Sequence, residues 1–476
     1  MVSRRQEERA HGRATGADRL ALFAVMWALA SLWHLLGDPD GAPAWAEAAL
    51  AVAVGLVLWR PGPVLPLALL SVAGLVVAWE EAPTLGDEWL LATFVNLAIV
   101  VSVAVALARR RFADRADLAE RVFPAARVCL LGAYAFAAFA KLNSAFFDRE
   151  SSCAVFLYRE TTDSIGLDGL QLGGTAWMER LVILGVVGIQ LAIPVLLLIR
   201  RTRAAGVVLG LVFHAVVALN NSQHHVDDSA IFFALLVLFL PPSTGHWMSE
   251  RVGSIRARLY LRGPRLPYLI GPLLAVVPAG VGLLVAIDAL SGDAAMDVGW
   301  WVWQLLAIAT VGVTARLLRQ APGSSAVRLL PYHPLYALVP LLVVVNGLAP
   351  YLELKTADAW NGYSNLATVD GDTNHLLLPR TVPVTDEQAD LVHILDTNDP
   401  VLSVYRTKHL AMTWDELRDR LSDRPDASIT YRRGPRLVAL EHASDNPELV
   451  APRSLWREKL VPFRPVDLAD PAPCEP

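Results

Sequence analysis

Apolar runs recur along this chain at close to the length needed to cross a bilayer. They fall at about 19 to 37, 44 to 59, 62 to 79, 89 to 108, 124 to 142, 178 to 199, 204 to 220, 229 to 246, 266 to 290, 298 to 317 and 331 to 350. A helix rises about 1.5 Å per residue, so about 20 apolar residues cover roughly 30 Å of hydrocarbon. The second and third runs are short by that measure. Hydrophobic residues make up 54% of the 476, more than an ordinary soluble domain carries. The expected fold is therefore an all-α polytopic membrane helix bundle of about 11 transmembrane helices with a small external C-terminal portion.

Arginine placement orients the bundle, because cytoplasmic loops hold the excess of Lys and Arg. Arginines fill the N-terminus, "RRRFADRADLAER" (109–121), "RRTR" (200–203), "RVGSIRARLYLRGPR" (251–265) and the stretch from Arg316 to Arg328. The alternate connections, "GDPDGAPAWAE", "EEAPTLGDE", "NSQHHVDDS" and "SGDAAMD", carry acids and no arginine. Before residue 351, 23 arginines fall on the first side and three, Arg149, Arg159 and Arg180, on the second. This predicts a cytoplasmic tail over 1–18, a multi-span domain over 19–350 and an external portion over 351–476, in a bacterial inner membrane. A net charge of −5 with no basic surface gives nucleic acid nothing to bind.

The external portion holds 21 acids against 14 bases. "TWDELRDRL" opens with Thr413 and Glu416 at capping-box spacing and reads as a helix, whereas "SVYRT", "ASITYRR" and "RLVALEHA" alternate like strands. A small α+β lobe is expected there, ending in a loose tail over 465–476. The external connection over 143–177 is the longest and too apolar for a disordered linker, so it should pack over the mouth of the bundle. Cys153 and Cys474 both fall outside and could pair in an oxidising compartment.

Only four of the 41 basic residues are lysine, and Lys141 is the sole one in the first 350 positions. Lysine differs from arginine in losing its proton readily when buried, so a base is conceivable there. The plainer alternative is a cation that ends the fifth span and snorkels to the interface. His214 falls at a similar depth, where it serves either the same cavity or an interhelical hydrogen bond. His224, His225, Asp227 and Asp228 in "NSQHHVDDS" read as a hydrated polar turn, since adjacent histidines point apart, and no metal is predicted.

Three stretches together resemble one family, the horizontally transferred transmembrane (HTTM) domain proteins, which include vitamin K-dependent gamma-carboxylase and bacterial relatives. They are "AKLNSAFF" (140–147), "NSQ" (221–223) before "IFFALLVLFLPP", and "NGLAPYLELKTADAWNGYSNLATVDGDTNHL" (346–376). Phe146 stands where the family often has tryptophan. The resemblance covers about 19 to 380 and implies a membrane enzyme acting on reduced menaquinone or another quinol. In the carboxylase a lysine deprotonates the hydroquinone, oxygen adds, and the strong base that results takes a proton from a glutamate γ-carbon, which then takes up carbon dioxide. On that pattern Lys141 is the base, His214 or Asn143 orients, and Asn221, Gln223, Phe146 and Asn365 contact substrate. The alternative is a non-catalytic membrane protein that binds a quinone, lipid or secreted peptide in transport, maturation or immunity.

Overall fold

The computed structural model describes residues 2–37, 41–109, 114–167, 175–221, 225–241, 243–262, 266–287, 289–320, 327–331, 334–451, 454–467 and 471–474. Five helices open the chain: α1 (Val2–Gly37), α2 (Ala44–Trp59), α3 (Val64–Glu81), α4 (Asp87–Ala108) and α5 (Arg115–Ala140). Two short helices follow, α6 (Ser144–Phe147) and α7 (Cys153–Ser164), then α8 (Ala176–Leu198), α9 (Arg203–Val217) and α10 (Val226–Leu236). The membrane part closes with α11 (Ser243–Arg262), α12 (Leu266–Ala286), α13 (Gly292–Gln320) and α14 (Pro334–Leu348).

Among the described residues, seven helices are long and apolar enough to cross a membrane: α1 from Gly16, α3, α4, α5, α8, α13 from Ala294, and α14 continued to Leu352. A bent pair, α10 with α11, makes an eighth if taken as one span. The expected count of 11 is not reached among the described residues, because α2 and α9 are only 16 and 15 residues long, α12 contributes only the shorter apolar stretch Val276–Ala286, and the chain breaks near Pro241. The run expected as one span over 229–246 is thus two helices. Proline lacks the N–H that would continue the ladder, and the exposed carbonyl of Leu238 is taken up by arginine. Arg127 donates to it from Nε (2.9 Å) and Nη2 (2.7 Å), and Arg19 from Nη2 (3.1 Å). Buried arginine here completes backbone hydrogen bonding that lipid cannot supply.

The long connection does carry structure of its own. Glu179 at the start of α8 pairs with both Arg149 and Arg159 of that loop, and Cys153 at the start of α7 is disulfide-bonded to Cys474. Alkylation followed by mass spectrometry is therefore expected to find one free thiol, Cys129, and a reducible peptide joining positions 153 and 474. Three alkylated thiols in non-reduced protein would contradict that pairing.

Beyond α14 the chain forms a small hairpin, β1 (Thr368–Val369) with β2 (Asp372–Thr373), and then a four-stranded antiparallel sheet in the order β4-β3-β5-β6. Its strands are β3 (Val392–Thr397), β4 (Ala411–Met412), β5 (Ile429–Arg433) and β6 (Arg436–Leu440), interleaved with α15 (Pro400–Lys408), α16 (Trp414–Ser422) and, last, α17 (Leu455–Leu460). Thr413 accepts from the Glu416 N–H, so α16 starts where its cap spacing placed it. "SVYRT" is helical, contrary to its alternation: Asp399 accepts from the N–H groups of Val401 and Leu402, and Pro400 is pre-set for a first turn. Nor is the tail loose at its described residues. Val466 exchanges two 2.8 Å backbone hydrogen bonds with Ala411, and Cys474 is covalently tied.

Candidate functional site

Lys141 lies one residue past the α5 span, as its C-cap. The turn behind it is held by Asn143, whose Oδ1 accepts from the Phe146 N–H (2.9 Å) while Nδ2 donates to the carbonyls of Ala140 (2.7 Å) and Ser364 (2.6 Å). Residues 374–376 then lie along the turn: Ser144 N–H donates to Asn374 O, and Leu376 N–H to Leu142 O. Two of the three stretches that carry the family resemblance are thereby brought together at the C-terminal end of α5.

The lysine is only 6% exposed, so it does not snorkel. Its Nζ lies 3.4 Å from the carbonyls of both Ala137 and Gly362 and 6.0 Å above the Phe146 ring. Among the described residues no carboxylate comes within ion-pair distance of it. Burial pushes the amine from the usual lysine range down to about 8, against the pull of the Asp87 carboxylate and with help from Arg464. Nearby, burial also pushes the Asp358 carboxyl up to about 7 although Lys355 opposes it.

The cover over this amine is strained. Glu353, Asp358, Trp360, Tyr363, Asn365 and Asp370 all take left-handed φ values between 48° and 60°, each at a cost of about 1–3 kcal/mol. Asp87, at the start of α4, holds the bend: its two oxygens accept from the N–H of Trp360 (2.9 Å) and of Gly362 (2.8 Å). The Trp360 side chain is buried against α14 and donates to Val343 O at 3.3 Å.

The other candidates part from Lys141. His214 is 5% exposed, lies 2.7 Å from the Tyr134 hydroxyl and stacks on Phe232 at 3.9 Å, which is the interhelical role. Tyr134 stands seven residues before Lys141, nearly two turns and about 10 Å down the same face of α5. Asn221 faces a separate open cavity of about 430 Å³ with Ser164, Asp297 and Trp301. Gln223 and His224 lie outside the described residues. Asn365 cross-links the cover: Oδ1 accepts from Cys153 N–H, and Nδ2 donates to the carbonyls of Ser151 and Ala472.

A second set of groups lies at the same end of the bundle, and only His225, Asp227 and Asp228 of it stood out in the sequence, as a hydrated polar turn. His34 of α1 lies 2.9 Å from Glu81 of α3 and 3.6 Å from Asp227 of α10, and its ring stacks on Trp89 at 3.7 Å. The side chains of Glu88 and Asp228 hydrogen-bond to each other, and His225 Nδ1 lies 2.6 Å from Asp228 Oδ2. His225, expected in a hydrated turn, is instead 7% exposed, while the acids Glu81 and Glu88 were read only as marks of an outside loop.

Compared with protein-family models, curated proteins and solved structures, the chain matches none.

Proposed function

We propose that this chain is a multi-span membrane enzyme of the HTTM type in which Lys141 acts as a base toward a reduced quinone. The observation that carries the reading is a buried amine with two long carbonyl contacts and no carboxylate partner among the described residues. Such a nitrogen can exist unprotonated near neutral pH and accept a proton from a phenolic hydroxyl. A quinol bound there supplies that hydroxyl and, with oxygen, the oxidising chemistry of epoxidation, with carboxylation as the coupled step that the family resemblance implies. Phe146, expected to contact substrate, is fully buried with its ring 6.0 Å from the amine, and the strained cover keeps bulk water from the amine.

Purified protein given reduced menaquinone, oxygen and bicarbonate should form quinone epoxide, measured by chromatography. Absence of epoxide from folded protein overturns the reading. It would favour the non-catalytic alternative, a binder of quinone, lipid or secreted peptide, toward which the purely structural hydrogen bonding of Asn143 and Asn365 already leans.

The proposed orientation is N-terminus inside and C-terminus outside in a bacterial inner membrane, supported by the arginine distribution and by a disulfide on the opposite side. In intact cells a membrane-impermeant maleimide should label Asp426→Cys and spare Ser254→Cys. The reverse pattern would invert the topology.

A further inference from the structure

The portion beyond α14, expected from its sequence to lie outside the membrane, does not stand clear of the spans. Two of its segments are tied by hydrogen bonds to the backbone at the ends of three of them. In the first, Leu376 N–H donates to Leu142 O (2.8 Å), two residues past α5, while Val382 N–H and Val384 N–H donate to Tyr351 O (2.9 Å) and Leu352 O (3.0 Å), where the α14 span finishes. The second is α17. Its Lys459 Nζ donates to the carbonyls of Glu80 (3.0 Å) and Ala82 (2.5 Å) at the end of α3, and Trp456 packs edge-on against Trp79 of α3 with centroids 5.1 Å apart.

Both segments turn apolar side chains away from the protein. Leu376, Leu377, Val382 and Val384 are 55–64% exposed, whereas the polar Thr381 between them is buried. That is the reverse of what water selects. On α17, Trp456 and Leu460 are 64% and 50% exposed and, at i and i+4, share one face. Apolar groups clustered in this way mark a surface that has a partner.

The partner is indicated by what the two patches continue. On α14 the exposed Leu341, Val345 and Leu348 follow one helical stripe whose next position is Leu352, the residue that binds Val384. On α3 the exposed Leu65, Leu69 and Val72 follow a stripe that reaches Trp79, the residue that meets Trp456. Both stripes lie on helices long and apolar enough to cross a membrane, so they face acyl chains, and the patches extend the same surface past the span ends. Arg380, exposed within the first segment, adds a cation of the kind that snorkels to lipid phosphate.

We propose that residues 376–384 and α17 are two feet by which the C-terminal portion rests in lipid, in the leaflet where α3, α5 and α14 end. Their apolar side chains enter the upper acyl region and Arg380 stays among the headgroups. The first foot is bonded to the residue that follows Lys141, so it brings lipid up to the turn that carries the amine. The footing holds whether or not Lys141 acts as a base.

The test uses the full chain in phosphatidylcholine nanodiscs, with the environment-sensitive fluorophore NBD attached through a maleimide at Leu377→Cys, Leu460→Cys or Asp426→Cys. All three positions are exposed, so the substitutions leave packing intact. Cys153 and Cys474 are paired and Cys129 is buried, so the label goes to the new thiol. Emission at 377 and 460 should lie to the blue of emission at 426, be lost when nitroxide-labelled lipid is included and be spared by aqueous iodide. At 426 the two quenchers should act the other way round. Iodide quenching without nitroxide quenching at 377 or at 460 overturns the foot to which that position belongs. Protection from both quenchers overturns it as well, because a second copy or a peptide is then seated on the patch in place of lipid.

Discussion

Lys141→Arg is expected to lower quinone epoxide formation by about a hundredfold or more, the usual worth of a positioned base, while the protein unfolds at an unchanged temperature. Arginine keeps the positive charge beside the Ala137 and Gly362 carbonyls but does not deprotonate. The sign of the pH dependence follows from the same group. A base works in its unprotonated form, and burial brings the amine down to about 8. The parent's rate should therefore rise as pH is raised through about 8 and level off above it. Any residual rate in Lys141→Arg should lack that limb. A full rate with the limb intact in Lys141→Arg would place the titrating group elsewhere.

Gly347→Ala should destabilise the protein by about 1–3 kcal/mol, the range for overpacking a filled contact, and should weaken activity without touching the site. On α14, a Cβ at Gly347 would stand 2.3 Å from the Phe136 ring of α5, backbone-close packing that only a small residue permits. A ring wedged between helices has no free end to swing aside, so α14 must shift. The turn Ala349–Leu352 and the cover over Lys141 follow directly from α14, so displacement there reaches the amine. Gly312→Ala on α13 meets nothing within 4 Å and serves as the control. It should be neutral or gain up to about 1 kcal/mol from helix propensity. Equal melting curves for Gly347→Ala and the parent would show that the two helices are not in that contact.

Lys141 was legible in the sequence because of what the chain avoids: with 37 arginines to four lysines, a lysine at a span end asks for a reason. Its burial was not legible, since the cover comes from residues more than 200 positions away. The Glu88–Asp228 pair and the bridge of His34 to Glu81 were hidden for the same reason: four helices must assemble before those groups meet. Span ends were readable from hydropathy, but the break in 229–246 needed attention to Pro241 and to the arginines that satisfy Leu238. "SVYRT" misled because two-residue alternation over five positions is weak beside an Asp399 cap with Pro400 following it. The Thr413 cap succeeded because a local hydrogen bond decides it.

The rarity of lysine also makes the decisive measurement simple. Protein labelled with ¹⁵N at the lysine side chains carries four signals, and Lys141 is assigned as the one missing from Lys141→Arg. Followed against pH in nanodiscs, the Lys141 resonance should move from ammonium to amine near pH 8. A resonance that stays ammonium until about pH 10.4, as in an exposed lysine, would contradict a base at this position.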